Sequence, residues 1–132
     1  MKYMLDTNTC IYLIKNKPLG IVKKLQSLKI EDISISTITL AELEYGVEKS
    51  QKREQNKLAL AEFLAPVEVL NFNDFAAQKY GEIRTSLENK GKLIGAMDML
   101  IAAHALSLNL ILVTNNVREF KRIPSLKIEN WI

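Results

Sequence analysis

The stretch Met97–Leu108 constrains the fold more than any other part of the chain. Wound as a helix it is apolar on nearly every side, and a helix without a polar face has to be buried. Just after it, Leu110–Val113 reads as a strand bounded by Asn109 and by Thr114-Asn115-Asn116. A buried helix running into an apolar strand is what packing against a sheet produces. Shorter versions of the same alternation precede it. Lys2–Leu5 is a strand broken by the polar run that starts at Asp6, and Ile33-Ser34-Ile35-Ser36 alternates with a period of two. Val67–Leu70 is strand-like, and a weak strand is expected at Leu126–Ile128. Between them the pattern predicts helices over Cys10–Lys15, stopped before Pro18, and over Leu19–Leu28, Thr37–Val47 and Glu54–Leu64, the last ended near Pro66. A longer helix covers Asp74–Asn89, with Asp74 as its cap. Short strands separated by helices predict an α/β fold with a mainly parallel central sheet of four or five strands.

With 132 residues and no repeat or linker-like stretch, residues 1–132 read as one domain. A hydrophobic fraction of 48% with 25% charged residues is that of an ordinary globule. No signal peptide or membrane span is evident, and Cys10 has no second cysteine to pair with, so a cytoplasmic protein is expected. The net charge of +3 and pI near 9.0 are compatible with a nucleic-acid partner without requiring one.

In parallel α/β folds the working site lies beyond the carboxyl ends of the strands. That rule selects Asp6, the turn after Ser36, and the segment Thr114–Glu119. Asp6 suits a helix cap as well as a ligand. Glu42 sits in the largely apolar Thr39-Leu40-Ala41-Glu42-Leu43, where a carboxylate costs stability unless a cation or hydrogen bonds compensate it; a buried lysine is the alternative to a metal. Asp98 opens the least polar helix of the chain, where it could simply complement the helix dipole. His104 lies about 240° round that helix from Asp98 and is better read as structural or as a helix-surface residue than as catalytic. Lys15/Lys17/Lys23/Lys24, Lys49/Lys52/Arg53/Lys57 and Arg118/Lys121/Arg122 could track phosphates, but only the last group lies beside these acids.

There is no phosphate-binding glycine loop, zinc-spaced Cys/His cluster or nucleophile elbow. Carboxylates gathered at a sheet edge without imidazole or thiolate suit a hard ion such as Mg²⁺ or Mn²⁺. Such an ion activates water and stabilises the charge that builds up in phosphodiester hydrolysis.

Taken together, these segments resemble the PIN domains, and closely the VapC toxins among them. Met4-Leu5-Asp6-Thr7-Asn8 resembles that family's opening motif. Ser36-Thr37-Ile38-Thr39-Leu40-Ala41-Glu42-Leu43 with Tyr45-Gly46 resembles the second, and Ile94-Gly95-Ala96-Met97-Asp98 with Ile101-Ala102-Ala103-His104-Ala105 the third. Leu112 to Phe120 resembles the fourth, and Glu129-Asn130-Trp131 the family's ending. Each match is weak alone; four in order and at the right spacing are specific. The resemblance implies a three-layer α/β/α domain with Asp6, Glu42 and Asp98 as metal-site acids and Thr7, Thr114 and Asn116 in support. It also implies a toxic Mg²⁺- or Mn²⁺-dependent endoribonuclease acting on RNA, often tRNA, as a homodimer held in check by a VapB-like antitoxin.

Two departures from the family pattern stand out. Ala96 occupies a position where many relatives have proline, and Asn116 one where many PIN domains have aspartate. The fourth ligand is thus left between Asn116, neutral but nearer the strand end, and Glu119, charged and carried back by a turn of helix. Three carboxylates suffice for one ion, so a single firmly held metal is expected, with Glu119 helping through water or on substrate binding. Two rival readings are a non-catalytic PIN-like module that binds RNA or protein, which would need a broken acidic set, and a haloacid-dehalogenase-type phosphatase, which wants a second aspartate where Asn8 stands.

Overall fold

The structure, a computed structural model, describes all 132 residues. Five strands form one sheet: β1 (Tyr3–Leu5), β2 (Ile33–Ser36), β3 (Glu68–Leu70), β4 (Ile111–Val113) and β5 (Ile128–Glu129). Their order is β3-β2-β1-β4-β5 and every pairing is parallel. β1 is central, with Met4 opposite both Ser34 and Leu112.

Strand periodicity sends alternate residues to opposite faces. Tyr3, Leu5, Ile33, Ile35 and Val113 join a core with Cys10, Leu13, Ile21, Leu43 and Leu60. These come from α1 (Thr7–Ile14), α2 (Leu19–Gln26), α3 (Thr37–Lys49) and α4 (Arg53–Leu64). Met4 and Leu112 face the other way, into a core with Ile83, Leu87, Met99, Ile101, Ala102 and Ala103. Those belong to α5 (Asp74–Asn89) and α6 (Ala96–Ser107), and Phe120 of the one-turn α7 (Val117–Phe120) closes that core's end. The result is the expected α/β/α arrangement. No helix is long and apolar enough to cross a membrane.

Several expected boundaries shift for local reasons. The first helix begins at Thr7, not Cys10, because Asp6 caps it: Asp6 Oδ1 accepts from the Thr9 N–H at 2.9 Å. The α5 cap is Asn73, whose backbone is extended and whose Oδ1 accepts from the Ala76 N–H. Asp74 instead lies in the first turn, where its charge complements the dipole. α3 runs on to Lys49, and the last strand is Ile128–Glu129, starting two positions later than the weak signal and ending one later. In β2 the polar side of the alternation is not solvated. Ser34 and Ser36 are fully buried beneath the α5–α6 layer and find partners inside the protein.

Candidate active site

The carboxyl ends of β1, β2 and β4 are adjacent in the sheet, and the sequence places an acid just beyond or near each. Asp6 follows β1 directly. Its N–H donates to the Val113 carbonyl at 3.0 Å, and the Thr9 hydroxyl donates to the same carbonyl at 3.1 Å. The start of α1 is thereby fastened to the end of β4. Asp6 is almost wholly buried, and burial pushes its carboxyl above the ordinary value, an effect opposed by hydrogen bonding to Thr114 and Thr9.

Glu42 lies on α3, half-buried. No lysine reaches it: Glu42 is in no ion pair, and its Oε1 accepts instead from the Thr7 hydroxyl on α1. The buried lysine alternative raised by the sequence is thus not what the fold uses.

Asp98 sits in the first turn of α6, with no hydrogen bond of its own. The only side-chain atom near the missing Cβ of Gly95 is Asp98 Oδ2, 3.6 Å from where that Cβ would be. A glycine here leaves one side of the carboxylate uncovered. Burial first, and then the charges of Asp6, Glu42 and Glu119, push the Asp98 carboxyl up to about 6. Four acids from four helical segments thus lie within electrostatic reach of one point, and none is ion-paired.

β4 leads through Thr114 into α7. Thr114 is buried, and its hydroxyl accepts from the Asn116 N–H at 2.9 Å. Asn116 stands at the N-cap of α7 without a side-chain capping bond, whereas Glu119 is carried back by the helical turn to where Asp98 feels its charge. Glu119 thus adds a fourth negative charge to the cluster, and Asn116 adds none.

His104 is buried and remote from this cluster in role, but not in consequence. Its Nδ1 lies 2.7 Å from Ser36 Oγ, and its ring stands edge-on to Phe72. Burial lowers its pKa, so the ring is neutral at neutral pH. Ser36 is the N-cap of the helix carrying Glu42, and His104 lies on the helix carrying Asp98. This pair therefore ties together the two helices that present those acids. Residue types alone do not reveal it, since Ser36 looks like the solvent side of an alternating strand. Thr9 was likewise unmarked by the sequence, although its spacing of three from Asp6 is that of a capping contact. Cys10 is buried, and burial pushes its thiol well above the ordinary value, so it is unreactive.

The donor set could hold a hard divalent cation: carboxylate oxygens supported by threonine hydroxyls, with an uncompensated negative charge. No three of these groups converge closely enough to ligate an ion directly. Mg²⁺ keeps several of its waters and commonly takes only one or two carboxylates, so such spacing suits it. Beside Glu42, a mostly apolar hollow of about 240 Å³ opens between α1, α3 and α4, lined by Ile11, Ile14, Leu43, Val47, Leu60 and Lys15 among others.

Comparison with known proteins agrees with this geometry. The model of the PIN domain family matches residues 3–126. The chain is 52% identical to Ribonuclease VapC2 of Rickettsia felis over 132 residues, covering 99% of this chain and 98% of that one. It is 48% identical to the tRNA(fMet)-specific endonuclease VapC of Salmonella typhimurium, covering 99% and 98%. Among solved structures it superposes on the Rickettsia felis VapBC2 complex bound to a promoter DNA fragment with a TM-score of 0.94, at 50% identity and with both chains fully covered. On the DNA-bound VapBC complex of Salmonella typhimurium the TM-score is 0.95, at 48% identity and with 100% and 99% covered. PIN-domain ribonucleases are metal-dependent. The chain is a member of the PIN-domain family, among the VapC ribonucleases.

Proposed function

We propose that this protein is a toxic endoribonuclease that hydrolyses phosphodiester bonds of RNA, tRNA foremost, in the cytoplasm, and that a cognate VapB-like antitoxin neutralises it. The observation that carries the reading is the set of four carboxylates without ion pairs, Asp98 and the three around it, assembled at the sheet edge of a VapC-like chain. Asp6, Glu42 and Asp98 would hold Mg²⁺, or Mn²⁺ in its place, one or two of them directly and the rest through the ion's own waters, with Glu119 joining through water or when RNA binds. The ion supplies charge stabilisation at the scissile phosphate and a more acidic water.

The chain's own residues hold this site in shape. Thr9 and Val113 fix Asp6 at the mouth of the central strands. The Thr7 hydroxyl orients the Glu42 carboxylate, and Thr114 lies against Asp6. Without a cation the acids repel one another and also repel the RNA backbone, so substrate phosphate and metal are expected to bind cooperatively.

The relatives' complexes with VapB supply the partner. An antitoxin segment with apolar side chains fits the hollow between α1, α3 and α4, and an arginine or lysine on it would reach the adjacent acids in a metal's place. The toxin is expected to act as a homodimer.

The Salmonella typhimurium relative's name points to initiator tRNA as the first substrate to try. Expressed alone in bacteria, the chain should arrest growth and generate new RNA ends that map to tRNA. The Asp98→Asn variant should do neither. Growth arrest with an intact RNA pool would overturn the reading.

A further inference from the structure

Arg122 Nη1 donates to the carbonyl of Leu93 at 3.2 Å, which fastens the end of α7 to the turn between α5 and α6. That contact brings two basic segments side by side. The turn carries Lys90 and Lys92 on either side of Gly91, whose φ of +64° suits a residue without a side chain. The α7 segment carries Arg118, Lys121 and Arg122. Lys90, Lys92, Arg118 and Lys121 are exposed, and none of the five cations is in an ion pair. Across residues 90–95 and 117–122 the one carboxylate is Glu119, which faces Asp98. Both segments also lead into the acidic cluster, one through Gly95 to Asp98 and the other through Glu119.

Exposed like charges gathered in this way attract anions. The chemistry of this surface fits a row of phosphates entering the site from the α7 side. The exposed large apolar side chains in and just after the turn are Leu93 and Met97, neither of them aromatic, while the aromatic ring of Phe120 is buried. The rim therefore lacks a stacking platform for bases and suits the backbone alone.

We infer that Lys90, Lys92, Arg118, Lys121 and Arg122 form the phosphate track that delivers RNA to the carboxylates, an inference that rests on the nuclease reading above. The track grips without reading sequence, so any choice among RNAs has to be made elsewhere on the protein.

The test uses the Asp98→Asn chain, to separate binding from cleavage, and a labelled single-stranded oligoribonucleotide titrated at several salt concentrations. Arg122 is left intact because it holds the turn in place. Lys90→Glu, Lys92→Glu and Lys121→Glu together should raise Kd at least tenfold near 0.1 M salt. They should also flatten the slope of log K against log salt by about 2, at roughly 0.7 per lost single-strand phosphate contact. Lys49→Glu, Lys52→Glu and Lys57→Glu make the same change of net charge on α3, α4 and their connection, and should weaken binding far less. Equal loss from both sets would mean that net charge alone acts, and would overturn the track. So would unaltered RNA affinity in the rim variant, including the case where that variant instead loses antitoxin binding. If the unsubstituted chain neither binds nor cuts RNA, the nuclease reading falls, and the track with it.

Discussion

Replacing Asp98 with Asn should make the metal-free protein more stable while removing its activity. The carboxyl is held near 6 in the fold against an ordinary value of 3.8, a difference of about 2 units or roughly 3 kcal/mol at full weight. Asp98 is only half-buried, so solvent screening cuts that to about 1.5 kcal/mol. Loss of a favourable first-turn charge takes back about 0.5 kcal/mol. The net gain is about 1 kcal/mol, or roughly 2–5 °C in Tm for a chain of this size. Because the native state binds this proton more tightly than the unfolded chain, the wild type is free of the penalty below about 3.8 and acquires it as pH rises through about 6. Thermal unfolding in excess chelator at pH 7.5 should therefore rank Asp98→Asn above wild type, and the gap should close as pH falls towards 4. A Tm equal to or below that of wild type at pH 7.5 would refute the electrostatic account, as would a gap independent of pH.

Ser36→Ala leaves the buried His104 Nδ1 without its partner and should cost about 1–3 kcal/mol in denaturant unfolding. It should also lower cleavage, as it frees α3 from α6; unchanged activity would show that the tie does not position the acids. Thr39 Oγ1 is buried with no hydrogen-bond partner, so Thr39→Val should be neutral or stabilising by urea titration, and a loss above about 1 kcal/mol would point to a bound water or ion there. Across a Mg²⁺ titration, Glu119→Gln should reduce the cleavage rate markedly and Asn116→Ala less; the reverse order would move the fourth role to Asn116.

The sheet was legible where burial leaves only one interpretation. Leu110–Val113 is apolar and the helix before it largely so because Leu112, Val113 and the run Ile101–Ala105 are covered on all sides, and both elements stand almost where the pattern puts them. The acids were legible from position, since the strand-end rule needs only strand boundaries to select Asp6 and the segment holding Glu119. What stayed hidden depends on contacts between distant segments. Asp6 reads equally well as cap or ligand because the cap uses Oδ1 and a carboxylate has a second oxygen to offer. Ser36 and His104 are 68 positions apart, and neither has a local pattern that announces the other. The neighbouring of Lys90 and Lys92 with α7 likewise depends on one long-range hydrogen bond.

Under the proposed mechanism a cation held by Asp6, Glu42 and Asp98 drives RNA cleavage, which can be measured under control of the metal. Purified toxin freed of antitoxin is stripped with chelator, and tRNA cleavage is followed as Mg²⁺ or Mn²⁺ is returned, beside Asp6→Asn, Glu42→Gln and Asp98→Asn. Cleavage should be absent in chelator, return with either ion but poorly with the larger Ca²⁺, and return in none of the three folded variants. Wild-type cleavage in excess chelator, or by Asp98→Asn at the wild-type rate, would contradict the mechanism.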